Sequence, residues 1–361
     1  MTEQPIAAIS PVFLVGGKLV RDLARDCVCL DVREGVEGMR RLEAQFLAVG
    51  AGATGPSTQL LHIDGSTVGL GSQLKVAVGP TGDQRFVFEG TVSAVELVLE
   101  DGSPPMVVVL AEDALMKLRM SRRMRSWASS TDADLASSIA EEHGLQAEVD
   151  APGPTYDVVQ QLNQSDLAFL RERARLVQAE IWADGQTLHF ATRTARQGTE
   201  VTLVLHRDLL SVRLTADLSA QRSEVHVTGY DAGQRQVVDE QAGADTISAE
   251  TSGSRTGSSL VGRVFGSATS IRVREVALGS SEAQAWAKAE MLRRSRGFVI
   301  ANGQTHGSPD LVVGSRLTLD GVGQVFEGSG YYTTSVRHTF DRVHGFRSRF
   351  MAERPVLNEV R

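Results

Sequence analysis

The stretch GSRLTLDGVGQVFEGSGYYTTSV at residues 314–336 follows the outline of GSQLKVAVGPTGDQRFVFEGTVSAV at residues 71–95. Each copy enters on Gly-Ser, a polar residue and Leu, and runs on as a short alternating strand. Each then crosses a loop and resumes at Phe-Glu-Gly into a second strand. The loops differ in length, as surface connections can. Alternation marks a strand with one buried face, and that face fixes its register. Two such units in one chain point to a duplicated β-domain.

The chain around the copies divides by pattern. Residues 1–119 read as mostly β, with strand signals in VFLVGGKLV, CVCLDVRE, GSQLKVAVG, FVFEGTVSAVELVLED and PMVVVLAED. In MRRLEAQFLAV, Leu42, Ala44, Phe46 and Ala48 alternate, which favours a strand. EDGSPP reads as a hairpin loop. Apolar residues crowd both faces of VSAVELVLE, which indicates burial on both sides or in an assembly. Residues 120–197 form an α+β unit. Thr131 is the N-cap of one helix, with Asp132 and Asp134 in its first turn and Gly144 as its stop. NQSDLAFLRERARLVQ is a second helix, and AEIWADGQTLHFA is a hairpin with a type I′ signal at Asp184-Gly185. Residues 198–232 return to strands as the first segment of a second β-domain. Residues 233–281 are a Gly/Ser-rich excursion, expected as an extended loop that is mobile or ordered by a partner. Residues 282–361 complete the second β-domain. They open on a helix in which Ser281 and Gln284 fit a capping box, with Ala285, Ala289 and Leu292 facing inward.

Composition narrows the function. The 361 residues carry a net charge of −7, which argues against a nucleic-acid binder that works by overall charge. No segment approaches the roughly 18 apolar residues of a membrane span, and the N-terminus lacks the basic start of a signal peptide. The two cysteines, Cys27 and Cys29, sit two apart on a strand. They read as small apolar packers on one face, in a reducing cytoplasm. The run GAGATG at residues 50–55 fits a dinucleotide fingerprint, but Pro56 follows it and no long helix does. GGKLV lacks the flanking residues of a phosphate loop. The histidines show no metal spacing; His206, His226 and His338 sit in strand patterns as structural residues. No carboxylate pair or nucleophile–base set announces catalysis. The expectation is a protein without a cofactor or an enzymatic site. Lys117, Arg119, Arg122, Arg123 and Arg125 form the one dense basic cluster. It is either a set of intrachain pairs and solvated charges, or a contact for an acidic partner or passing cargo.

Three ordered blocks resemble one family. In QLNQSDLAFLRERARLVQAEIWADGQTLHF, a Ser-Asp-x-x-Phe-Leu motif precedes an aromatic residue and an Asp-Gly hairpin. SEVHVTGYDAGQRQ ends a strand in Gly-Tyr-Asp. GSPDLVVGSRLTLDGVGQVFEGSGYYTTSVRHTF carries Gly330-Tyr331-Tyr332 and Val336-x-His338. Together they resemble the phage late control protein D family, the baseplate hubs of contractile tails. They are also similar to the N-terminal hub module of type VI secretion valine–glycine repeat spike proteins.

The resemblance implies a mainly β, α+β chain. It has two tube-like β-barrel domains and a small α+β domain, assembled as a hub-type homotrimer. Three chains then present six similar domains, a symmetry adaptor between a sixfold inner tube and a threefold spike. Closing such a ring also removes exposed strand edges. The implied partners are the inner tube protein, the spike protein, and baseplate wedge or LysM-type adaptor proteins. No specific nucleic acid or stable membrane insertion is implied. The protein would be assembled in the cytoplasm as a component of a phage-tail-like particle. Fused relatives continue past the last barrel, whereas this sequence stops at MAERPVLNEVR, so the expectation is a spike on a separate polypeptide. VSAVELVLE and MVVVLAED are the expected packing surfaces. The rival expectation is a tail-associated cell-wall hydrolase.

Overall fold

The computed structural model describes residues 10–49, 60–79, 82–251 and 253–359. The glycine run at residues 50–55 and the first nine residues lie outside them. Strands form wherever Val, Leu and Phe alternate with polar residues. Strands β1 (Val12–Val15) and β2 (Lys18–Leu19) fold back at Gly16 and Gly17, both with positive φ. After α1 (Arg21–Asp26) come β3 (Cys27–Gly35), β4 (Arg41–Leu47), β5 (Gln73–Val78), β6 (Arg85–Val98) and β7 (Met106–Glu112). They pair antiparallel in the order β3-β4-β7-β6-β5-β1-β2 around a core that includes Phe13, Leu30, Phe46 and Phe88. The alternating segment 42–48 is thus a strand up to Leu47. A bulge between Cys27 and Cys29 breaks the alternation there. Cys27 turns into the core while Cys29 pairs opposite Gln45 on the polar face, so the two do not share a face.

The middle unit holds α2 (Met116–Arg119), β8 (Arg122–Ser130), α3 (Asp132–Glu142), β9 (Gln146–Asp150), β10 (Tyr156–Ser165), α4 (Asp166–Val177), β11 (Ala179–Asp184) and β12 (Thr187–Thr192). Thr131 caps α3 as expected. Its hydroxyl accepts from the Asp134 N–H at 3.2 Å, and the Asp134 carboxylate accepts from the Thr131 N–H at 2.9 Å. Ser165 caps α4. The β11–β12 hairpin forms at the expected place with a different turn. Gly185 alone has positive φ, at 56°, and it is the first of the two loop residues. That is the type II′ pattern rather than I′.

The chain continues through β13 (Glu200–Val204), β14 (Leu209–Ala216), β15 (Glu224–Asp231), β16 (Gln236–Gly243), α5 (Asp245–Ser248), α6 (Gly257–Phe265), β17 (Thr269–Ala277) and α7 (Ser280–Arg296). Here the structure departs from the sequence reading. The excursion is no extended loop: β16 and β17 flank β15 in a three-stranded sheet, joined by two short helices. Strand β15 therefore pairs away from the second β-domain, and α7 packs with this sheet. Val225, Val227, Val238, Ala283, Trp286 and Met291 share one core with Leu135, Leu170 and Ile181 of the middle unit. Helix α7 begins at Gly279 with no side-chain cap; the Glu282 carboxylate accepts from the Leu278 N–H at 2.7 Å instead. Its buried face runs through Ala283, Trp286, Ala287 and Met291, with Ala289 also buried.

Strands β18 (Val299–His306), β19 (Arg316–Asp320), β20 (Gly328–Asp341) and β21 (Gly345–Arg354) close the chain. With β13 and β14 they wrap a third core that includes Leu209, Phe298, Leu317, Tyr331 and Phe350. Strand β20 also pairs with β3, so one ladder of 13 strands runs from the second half into the first.

Candidate assembly surface

The two halves are the same half-sheet built twice. In the first the order is β3-β4-β7-β6-β5; in the second it is β14-β18-β21-β20-β19. The repeated Gly-Ser explains itself in hydrogen bonds. Gly71 N–H donates to the Val92 carbonyl and Val92 N–H to the Ser72 carbonyl, both at 2.9 Å. Gly314 and Ser315 make the same pair of bonds with Thr333, again at 2.9 Å. The Ser72 hydroxyl accepts from the Gly69 N–H at 3.2 Å, and the Ser315 hydroxyl from the Val312 N–H at 3.1 Å. Both glycines have positive φ, 81° and 94°, which favours Gly at the strand entry.

The irregularities match as well. A bulge lies between Val92 and Ala94 in β6, and another between Thr333 and Ser335 in β20. The bulged Ser93 hydroxyl donates to the Leu110 carbonyl, and the bulged Thr334 hydroxyl to the Met351 carbonyl. Strand β3 bulges between Cys27 and Cys29, β14 between Leu209 and Ser211. These registers make Ala94, Glu96, Leu97 and Leu99 the counterparts of Ser335, Arg337, His338 and Phe340. They make Asp31 the counterpart of Arg213. The outermost strand differs: β1 is antiparallel to β5, whereas β13 is parallel to β19.

The halves join edge to edge. Strand β20 pairs with β3 from Ser335 opposite Gly35 to Asp341 opposite Cys29. Arg337 donates from Nε to the Asp31 carboxylate at 2.8 Å, and Arg33 does so at 2.8 Å from the same side. Burial raises the Asp31 carboxyl, but bonds from Arg33 and Arg337 outweigh it and hold the group below the usual carboxylate range. Phe340 is only 6% exposed because it enters the first core, and Arg342 donates to the Cys27 and Arg25 carbonyls beyond it. Among the described residues, two open edges are the counterparts of this joined pair: the outer edge of β14 and the edge of β6 from Ser93 to Val98.

A buried ionic network ties the three cores at this junction. The Arg196 guanidinium donates to Glu34 at 2.6 Å and to Glu180 at 3.2 Å, and the Tyr332 hydroxyl donates to Glu180 at 2.7 Å. Arg40 lies 2.6 Å from Glu34, and Arg193 donates to Glu353 at 2.6 Å. Arg193 and Arg316 each lie against the Tyr332 ring, with centroid distances of 4.1 and 4.3 Å. Burial alone would raise Glu34, but Arg40 and Arg196 hold it ionised. Sequence reading missed Glu34, Glu180, Arg193 and Arg196. They lie far apart in the chain and carry no spacing signal.

Four of the five residues of the basic cluster are engaged within the chain, although Lys117 and Arg119 remain exposed. Lys117 donates to the Gln186 side chain at 3.0 Å, and Arg119 pairs with Glu112. Arg123 and Arg125 both serve the fully buried Asp166, at 3.1 and 2.8 Å, together with His143 and Gln161. Arg125 also pairs with Glu142 at 2.6 Å and lies over the Trp127 ring. Arg122 is exposed at the start of β8. The Ser-Asp motif that opens α4 is therefore the anchor for two of these arginines.

Other sites offer little chemistry. Among the described residues, no three His, Cys, Asp or Glu side chains gather as a metal site. A cleft of about 670 Å³ lies beside α4 and α7, and its arginines are engaged. Arg175 pairs with Glu37 at 2.6 Å, and Arg293 and Arg294 with Glu290 at 2.7 and 2.8 Å. His338 is buried against Phe346, His226 pairs with Glu224 and Asp239, and His206 sits in a turn with positive φ. No helix among the described residues is long and apolar enough to cross a membrane.

The fold is that of known tail proteins. It is similar to the 43 kDa tail protein of prophage MuSo2 from Shewanella oneidensis, with 14% identity over 97% of this chain and 100% of the other, at a TM-score of 0.69. A tail protein from Neisseria meningitidis follows, with 13% identity, 96% and 97% coverage, and a TM-score of 0.64. The E. coli c3393 protein, a type VI secretion component with structural similarity to the T4 tail proteins gp27 and gp5, has 14% identity, 96% and 77% coverage, and a TM-score of 0.60. No curated protein matches the sequence. The model of the Alg8 N-terminal domain family matches residues 57–341. With most of its length inside that match, the chain belongs to the Alg8 N-terminal domain family.

Proposed function

We propose that this chain is the structural hub of a contractile tail or injection particle, as in the late control protein D family it resembles. Three copies would form a ring that adapts a sixfold inner tube to a threefold spike. The observation that carries this reading is the duplicated half-sheet, joined at β3 and β20 and open at the counterpart edges of β14 and β6. A chain with two equivalent halves presents twice as many similar surfaces as copies, which is what a change of symmetry order requires. The similarity to prophage tail proteins and to a type VI secretion component supports it.

The role is mechanical rather than catalytic. The hub would contact the inner tube on one side and a spike on the other, with wedge or LysM-type adaptor proteins around it. The particle would be assembled in the cytoplasm. The basic cluster would contribute to these contacts through its exposed members Lys117, Arg119 and Arg122. Electron microscopy of the native complex tests the proposal. A ring of this chain between tube and spike is expected; a particle that lacks the chain, or a chain found only outside any particle, overturns it.

A further inference from the structure

The two open edges are counterparts of the two that are joined. Strand β14 stands where β3 stands, and residues 93–98 of β6 stand where β20 meets β3. Side chains at the open edges bear the marks of a missing partner. Phe340 is 6% exposed, yet its counterpart Leu99 is 63% exposed; His338 is 5% exposed and its counterpart Leu97 is 39% exposed. Glu96 and Arg213 are both exposed, with no ion-pair partner among the described residues.

Transferring the register of the joined seam sets Glu96 opposite Thr215 and Val98 opposite Arg213. Glu96 then reaches Arg213 diagonally, as Arg337 reaches Asp31. The polarity is reversed. In the chain the cation is on the long strand and the anion on the edge strand; at the open edges the anion is on β6 and the cation on β14. We infer that β6 of one copy pairs with β14 of a second copy, locked by a Glu96–Arg213 ion pair whose reversed polarity forces unlike halves to alternate. Pairing β6 with β3 would set Glu96 against Asp31, and pairing β20 with β14 would set Arg337 against Arg213. Both like-with-like seams are repulsive, so the charges select partners as well as attract them. The occupant of each open edge is a second copy of this chain. The inference deepens the ring proposed above and rests on it.

Charge reversal of the full-length protein tests it, read by sedimentation velocity with circular dichroism as the control for folding. The wild type is expected to sediment as a closed oligomer. Glu96→Arg and Arg213→Glu are each expected to lose it, and the double reversal to restore it. A monomeric wild type, single variants that assemble normally, or a folded double variant that does not assemble would each overturn the seam. If a reversal unfolds the chain, Glu96→Cys with Thr215→Cys replaces it. A short bismaleimide should then link chains covalently in the double variant and in neither single one; absence of that link overturns the proposal. The hub reading fails separately. A ring seen within a tail particle with β6 and β14 apart would sink the seam alone, whereas a seam in protein that enters no particle would sink the hub alone.

Discussion

The hairpins β6–β7 and β20–β21 have one backbone plan and opposite fates. Both enter after a Gly-Ser turn, both bulge one residue into the second half of the long strand, and both use a hydroxyl at the bulge to reach the facing carbonyl. The second buries Phe340, just before its exposed turn, in the neighbouring half; the first leaves Leu99 in solvent. The side chains differ with the environment while the backbone plan is shared. The bulges are present in both copies, as expected for features that set twist and edge direction. Leu97 and Leu99 stand where His338 and Phe340 stand, and the charges have the opposite sign.

Four measurements test whether the two hairpins differ as their surroundings require. The largest effect is expected at buried Phe340. Phe340→Ala should lower stability by about 4 kcal/mol in urea denaturation, because a ring is removed from the first core. Next is acid. Burial, and then the charge of Arg40, push the His338 imidazole down to about 4 from an ordinary 6.5. The folded seam therefore holds fewer protons than the unfolded chain in that window. Stability should fall by up to roughly 3 kcal/mol as pH drops from 6.5 towards 4. Burial pushes the Asp113 carboxyl up to about 7, which works in the opposite direction. The His338 contribution is accordingly the difference in pH slope between the wild type and His338→Leu, which installs the residue of the open copy. A variant with an unchanged slope would remove His338 from the account.

Smaller effects should be symmetric. Ser72→Ala and Ser315→Ala should each cost about 1 kcal/mol, since each removes the hydroxyl that accepts a turn N–H. A large inequality would show that the shared turn does not carry shared energy. Leu99→Ala should cost less than about 0.5 kcal/mol in the dissociated chain, because the side chain is already in water. The three tryptophans, Trp127, Trp182 and Trp286, lie in or against the middle unit or its attached sheet. Fluorescence therefore reports that unit.

The repeat, the strands around it and the cap of α3 were legible because they rest on local patterns: alternation, Gly-Ser entries, and Thr before an acidic turn. Strands β16 and β17 were not. In β16, Val238 and Ala242 face the core amid Gln, Asp and Glu, and the flanking Gly, Ser and Thr made the whole segment resemble a loop. Its stability comes from α7 and the middle unit, which no local window contains. The junction network was hidden for the same reason: Glu34, Glu180 and Arg196 meet only after the fold brings three segments together. Ser281 and Gln284 have the spacing of a capping box, but the helix begins earlier, so spacing misled where geometry decided. The basic cluster was visible as charge, while Asp166, its main acceptor, stood 41 residues beyond Arg125.

The pairing of β3 with β20 also orders events on the ribosome. Cys29 waits for Asp341, about 300 residues later, so the first half is translated long before its edge can close. A nascent or truncated product keeps β3 bare, a template for misassembly. Sealing of that edge requires β20, so any product that lacks β20 is marked by its own open strand.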